Sequence, residues 1–151
     1  MTSRNPSHKL REPVVTDLRT ARNHWAHPDT DHPFDRAYAL SVHTWAEELL
    51  EGATSADVTR LPRLYTGAGF ACFSGRPATA AEHARTATEL AALPRYDPCE
   101  PGLSVFIEAL ARVYSGDLDR YVELSERVAR LTGSARAFGL PAYVDGLQAS
   151  G

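Results

Sequence analysis

Two stretches of this chain superpose on one another with a shift of 41 residues, and that internal repeat limits the fold more than any single motif. Ser74-Gly75 falls on Ser115-Gly116, Phe73 on Tyr114, Ala80 on Tyr121, Ala87 on Val128 and Leu90 on Leu131. Each copy reads as helix, glycine turn, helix. In the first, Leu61, Leu64, Tyr65, Ala68 and Cys72 precede the turn, and Ala80, Ala84, Ala87 and Leu90 follow it. In the second, Leu103, Phe106, Ile107, Leu110 and Tyr114 lead into the turn, with Leu118, Tyr121, Val128 and Leu131 after it. These spacings of three and four place the apolar side chains of each segment on one helical face. A two-helix unit of this length cannot bury its apolar face alone and must stack on a neighbour. A seventh helix, over residues 134–148 with Phe138, Tyr143, Val144 and Leu147, is expected to begin a third unit.

Upstream of the repeat, Val14, Leu18, Ala21 and Trp25 recur at spacings of four, three and four after Pro13, a residue suited to a first helical turn. Pro28 stops this helix, because proline disfavours helical geometry in the residue before it. A polar turn follows, Asp35 is expected to cap the next helix, and Tyr38, Val42, Trp45 and Leu49 repeat the rhythm until Gly52 closes it. Two helices joined by a short loop make a hairpin. The β-branched residues never alternate over more than a few positions, so no strand competes. The expected organisation is a disordered polar tail over 1–12, a helical hairpin over 13–52, a linker over 53–60 and helical repeats over 61–151 with an incomplete last unit. The fold class is all-α.

Composition removes several functions. Hydrophobic residues make up 43% and charged residues 23%, enough for a packed core. The formal net charge is −3 with both signs interspersed, which leaves no broad electrostatic footprint for duplex DNA. No apolar run follows the polar start and none reaches about 18 residues, so neither a signal peptide nor a membrane span is expected, and the expected location is cytoplasmic. Cys72 and Cys99 are the two cysteines and read as reduced, buried thiols. Lys9 is the sole lysine, so no G-x-x-x-x-G-K-[ST] phosphate loop exists, and no cofactor is expected.

Residues 61–151 resemble the helical-repeat region of large LuxR-type bacterial ATPase regulators, which is related to tetratricopeptide repeats. The resemblance lies in Arg63-Leu64-Tyr65-Thr66-Gly67-Ala68-Gly69-Phe70, in Tyr96-Asp97-Pro98-Cys99-Glu100-Pro101-Gly102 and in Tyr114-Ser115-Gly116-Asp117-Leu118-Asp119-Arg120-Tyr121. It implies TPR-like antiparallel repeats that contact a protein partner, or a second copy of the chain. It implies neither the ATPase nor the DNA-reading output of those regulators.

Arg22-Asn23-His24-Trp25-Ala26-His27, closing the first helix, resembles the R-N-x-W-A-H branch of the HEPN domains, many of which are metal-independent endoribonucleases. The resemblance covers residues 10–60 and implies Arg22, Asn23 and His27 as site residues. A histidine of near-neutral pKa exchanges a proton with a ribose 2′-hydroxyl or a leaving 5′-oxygen. An arginine holds the scissile phosphate through paired hydrogen bonds. Asn23 stands four residues before His27, at a spacing suited to orienting the imidazole or the phosphate. In the family the site is composite, with two protomers each giving an Arg–His pair, and long helices precede the motif helix. Only 21 residues precede Arg22, so only the motif half of that domain is expected here.

Each of these residues also has a structural reading. His24 and His27 suit a helix C-terminus, which attracts positive charge. Arg22 suits an ion pair with a carboxylate across the hairpin, and Trp25 and Trp45 suit the core. Metal binding by His24, His27, His32, Asp29 and Asp31 falls short of the well-placed four-ligand set that zinc takes, so no metal is expected. Two functions follow. The first is a helical-repeat interaction or regulatory module carrying a partial, catalytically weak or inactive RNase-like motif. The alternative is a dimeric endoribonuclease acting on RNA by 2′-hydroxyl attack.

Overall fold

The structure, a computed structural model, describes residues 10–28, 33–52, 56–96 and 102–132. Six α-helices account for most of them: α1 (Glu12–Ala26), α2 (Pro33–Leu50), α3 (Leu61–Cys72), α4 (Pro77–Ala91), α5 (Leu103–Tyr114) and α6 (Leu118–Thr132). Among the described residues there is no strand, so the all-α fold read from the sequence is the fold observed. No helix among them is long and apolar enough to cross a membrane. The chain divides into two compact units at Thr59/Arg60. The expected seventh helix and Cys99 lie outside the described residues.

The first unit is the antiparallel hairpin of α1 and α2. Val14, Leu18, Ala21 and Trp25, the stripe read from the sequence, are all buried. Across from them Val42 and Leu49 are buried together with Ala39 and Ala46, while Tyr38 and Trp45 are half-buried at the margin. Val14, Leu18, Ala46 and Leu49 form the centre of this core, with Leu10, Trp45, Leu50 and Val58 packed around it. Val58 belongs to a 3-10 turn (Ala56–Arg60), so part of the segment read as linker is ordered against the hairpin.

One expectation is corrected here. Asp35 is not the cap of α2, because Pro33 opens the helix two residues earlier and leaves Asp35 in its first turn. Proline's fixed φ is pre-organised for a helical first turn, and an acidic side chain is favoured there by the helix dipole. Among the described residues, the Oδ1 atom of Asp35 is buried without a hydrogen-bond partner.

The second unit stacks α3 to α6 so that each helix packs on the next and α3 also packs on α5. The α3–α4 contact is unusually close at Gly69. A Cβ added there would stand 3.1 Å from the Ala80 carbonyl oxygen, 3.4 Å from the Ala84 nitrogen and 3.4 Å from Ile107 Cγ2. Facing it, α4 presents the fully buried alanines Ala80, Ala81, Ala84 and Ala87. Cys72, Ala80, Ala81 and Ala111 form the small-residue core where α3, α4 and α5 meet. A second core joins Val105 and Ala109 of α5 to Tyr121, Leu124 and Val128 of α6.

Because α5 touches α3, α4 and α6, it is buried on more of its circumference than one stripe allows. Ser104, Val105, Ile107, Glu108, Ala109 and Ala111 are all buried, whereas Tyr114 is exposed. In α6 the apolar residues Leu118 and Leu131 are likewise exposed, and Leu124 is fully buried. The turn before α6 is built by Gly116 at φ +81°, with its N–H bonded to the Val113 carbonyl, and Asp117 Oδ1 then accepts the Arg120 N–H at 3.1 Å. That is a helix stop followed at once by an N-cap.

Candidate functional site

The motif read as chemical lies on the last two turns of α1. Trp25 is directed into the hairpin core, and this sends Arg22, Asn23 and His24 toward the rim. His27 stands one residue past the helix at φ −129° and ψ 75°, off the helical lattice, because Pro28 follows it. Arg22 Nε donates to Asn23 Oδ1 at 3.2 Å and lies 3.7 Å from Glu47 Oε1 on α2. Arg22 and Asn23 are therefore brought together, but His27 is joined to neither and makes no hydrogen bond among the described residues. The amide of Asn23 serves Arg22 and not the imidazole.

A histidine not singled out in the sequence shares a carboxylate with Arg22. His43 Nε2 approaches Glu47 Oε1 at 3.9 Å, so one carboxylate oxygen serves both His43 and Arg22. Its signal was available: His43 and Glu47 are four apart on α2, and in an antiparallel hairpin they fall opposite the last turns of α1. The partly exposed Arg22–Glu47 pair contributes about 0.2–1 kcal/mol. Electrostatically it works against an anion. A phosphate approaching Arg22 would have to displace Glu47, and residues 1–59 carry nine Asp and Glu against six Lys and Arg. His24 stacks at a tilt on Trp25, with ring centroids 5.8 Å apart, and burial of its imidazole lowers its pKa below the ordinary value. No group of acidic, histidine or cysteine side chains suited to a metal ion occurs among the described residues.

Two features of the second unit were not read as sites. The first is a row of aromatic rings along α3 and α5. Phe70 and Phe73 are 5.9 Å apart, and Phe73 meets Tyr114 edge-on at 5.6 Å. Phe73 and Tyr114 are the superposed positions of the two repeats, so equivalent residues of successive units touch. Phe70 is 66% exposed and Tyr114 is 47% exposed, so this row reaches the surface at both ends. The second is a chain of charges linking α4, α5 and α6 around Glu108, which is 1% exposed. Glu108 Oε2 lies 3.4 Å from both Arg112 Nη2 and Arg120 Nε. Arg112 also reaches Glu82 at 3.8 Å, and Arg120 Nη1 donates to Glu123 at 2.9 Å. The sequence signal was a lone glutamate inside the apolar run of α5 with an arginine four residues later.

The fold and its surfaces define an all-helical protein in which a hairpin precedes stacked helical pairs. No family model, curated protein or solved structure matches the chain.

Proposed function

We propose that this chain is a helical-repeat protein-interaction module, with a TPR-like second unit and a hairpin that keeps the HEPN-type motif in a catalytically weak or inactive form. The observation that carries the reading is the exposed pair Phe70 and Tyr114, joined through the half-buried Phe73. Exposed aromatic residues are enriched at protein interfaces and supply large contact area at low entropic cost. The motif end of the hairpin supports the same reading, because Glu47 holds Arg22 and His27 stands apart from both Arg22 and Asn23.

The alternative, a metal-independent endoribonuclease, draws on the Arg22–Asn23 contact in the same motif as His24 and His27. In that reading a second copy completes the site.

RNA cleavage in EDTA, comparing the wild-type chain with His27→Ala, separates the two. Cleavage lost in His27→Ala overturns the interaction reading in favour of the nuclease. No cleavage, together with a sedimentation mass that rises with concentration or with partner and falls in a Phe70→Ser/Tyr114→Ser variant, supports it. A mass that the aromatic substitutions leave unchanged removes the row as an interaction surface.

A further inference from the structure

The joint between the two repeats is made by α4 and α5. Ala81 sits with Ala111 in the small-residue core, the Thr88 and Ser104 hydroxyls are 2.9 Å apart, and Glu82 lies 3.8 Å from Arg112. Ala81 precedes Thr88 whereas Ala111 follows Ser104, so the helices run antiparallel through the joint. A shift of 41 residues forward carries the α4 side onto α6, where Ala81, Ala84 and Thr88 become Val122, Ser125 and Ala129. The same shift backward carries the α5 side onto α3, where Ser104, Glu108 and Ala111 become Arg63, Gly67 and Phe70. Both counterpart faces reach the surface. Val122 is 51% exposed on α6, and Phe70 and Arg63 are exposed on α3.

The two faces also match one another. The register that sets Ala81 against Ala111 sets Val122 against Phe70, apolar on apolar. Gly67 stands where the joint has Glu108, so no side chain holds a second helix away there. Arg63 stands opposite Ala129, and Glu126, one turn before Ala129, takes the place of Arg85 on the edge from which Glu82 reaches α5. Both Arg63 and Glu126 are exposed, and their charges are opposite. Within one chain α3 and α6 are the first and last helices of the stack, so the two halves can meet only between copies.

We propose that α6 of one copy receives α3 of another, Val122 on Phe70, repeating the α4–α5 joint between chains. This rests on the interaction reading above and names its partner as a second copy of the same chain. An interface between two different faces generates open chains or rings, whereas a twofold contact through the aromatic side chains would stop at a dimer.

Sedimentation of the full chain tests it by blocking one end at a time. Phe70→Asp blocks the α3 end and Val122→Asp the α6 end, and each is expected to weaken self-association by about tenfold or more, as loss of a central interface residue does. An equimolar mixture of the two variants is expected to form a dimer and nothing larger, because each keeps one working end. Should either variant unfold, a charge exchange takes its place. Arg63→Glu and Glu126→Arg each weaken association severalfold at low salt, and both in one chain restore it. A wild type that stays monomeric at every concentration overturns the proposal and leaves the interaction reading to a different protein. Association lost in only one of the two aspartate variants overturns it as well, as does a mixture that stays monomeric.

Discussion

Glu108 and His24 show how a single side chain carries the properties of its unit. Glu108 is buried with its Oε2 shared between Arg112 and Arg120. Taking a carboxylate out of water is costly, and the two guanidinium groups offset that cost only while both remain close. Glu108→Ala strands Arg112, whose Nε is already buried without a hydrogen-bond partner among the described residues. A loss of roughly 2–4 kcal/mol is expected in urea unfolding, reduced from a fully buried case because both arginines reach solvent. A loss below about 0.5 kcal/mol, the scale of ordinary surface substitutions, would show that the pair contributes nothing net. His24 gives the hairpin a pH-dependent contribution to stability. Its folded pKa lies below the ordinary value of about 6.5, so the unfolded chain binds the proton first as pH falls. Its contribution to stability is fully present above that pH and is lost as pH falls through the folded pKa. In His24→Gln that part of the acid dependence is absent, which thermal unfolding at stepped pH measures.

At the scale of elements, two glycines that superpose in the repeat behave differently. Gly116 has a φ of +81°, while Gly75 is not among the positive-φ glycines and a Cβ there would meet nothing within 4 Å. Gly116→Ala is expected to cost about 1 kcal/mol from the left-handed backbone alone, and Gly75→Ala to be neutral or slightly stabilising. Equal losses at both positions in chemical denaturation would contradict that assignment. Gly69→Ala tests the helix contact itself. Alanine is the better helix former by about 1 kcal/mol, yet its Cβ would meet backbone atoms of α4 that cannot rotate away. A net loss of about 1–2 kcal/mol is expected from that overpacking, and a gain in thermal midpoint would show that α3 and α4 separate freely. Helix positions were legible in the sequence because three-and-four spacing survives whatever a helix packs against. Which face lies outward was legible only for helices with one neighbour. The α1 stripe was therefore read in full, while α5, enclosed by three helices, buries Ser104 and Glu108 that a single-stripe reading leaves out. The Asp35 cap was misplaced because Pro33, a stronger helix-starting signal, stood two residues before it.

For the molecule as a whole, the repeat was legible because turn residues and spacing recur together, and the helices stack in the order it implies. The candidate site was less legible. Motif spacing along a chain says nothing about which carboxylate a neighbouring helix brings, and here Glu47 and His43 of α2 complete the surroundings of Arg22. Phe70→Ser is expected to leave the thermal midpoint within about 1–2 °C of wild type, because an exposed ring contributes little to folding. A drop of several degrees would mean that the aromatic row belongs to the core. The alanine face of α4 sets the opposite pattern. Ala80, Ala81, Ala84 and Ala87 are among the smallest side chains in the second unit, and each is fully enclosed. Among variants of this chain, freedom to change therefore runs against residue size. For folding alone, the bulky Phe70 accepts nearly any replacement that keeps the helix, while the four methyl groups of α4 have almost no permitted neighbours in sequence space. The fold is thus written in the alanines, and the aromatics are left to whatever binds them.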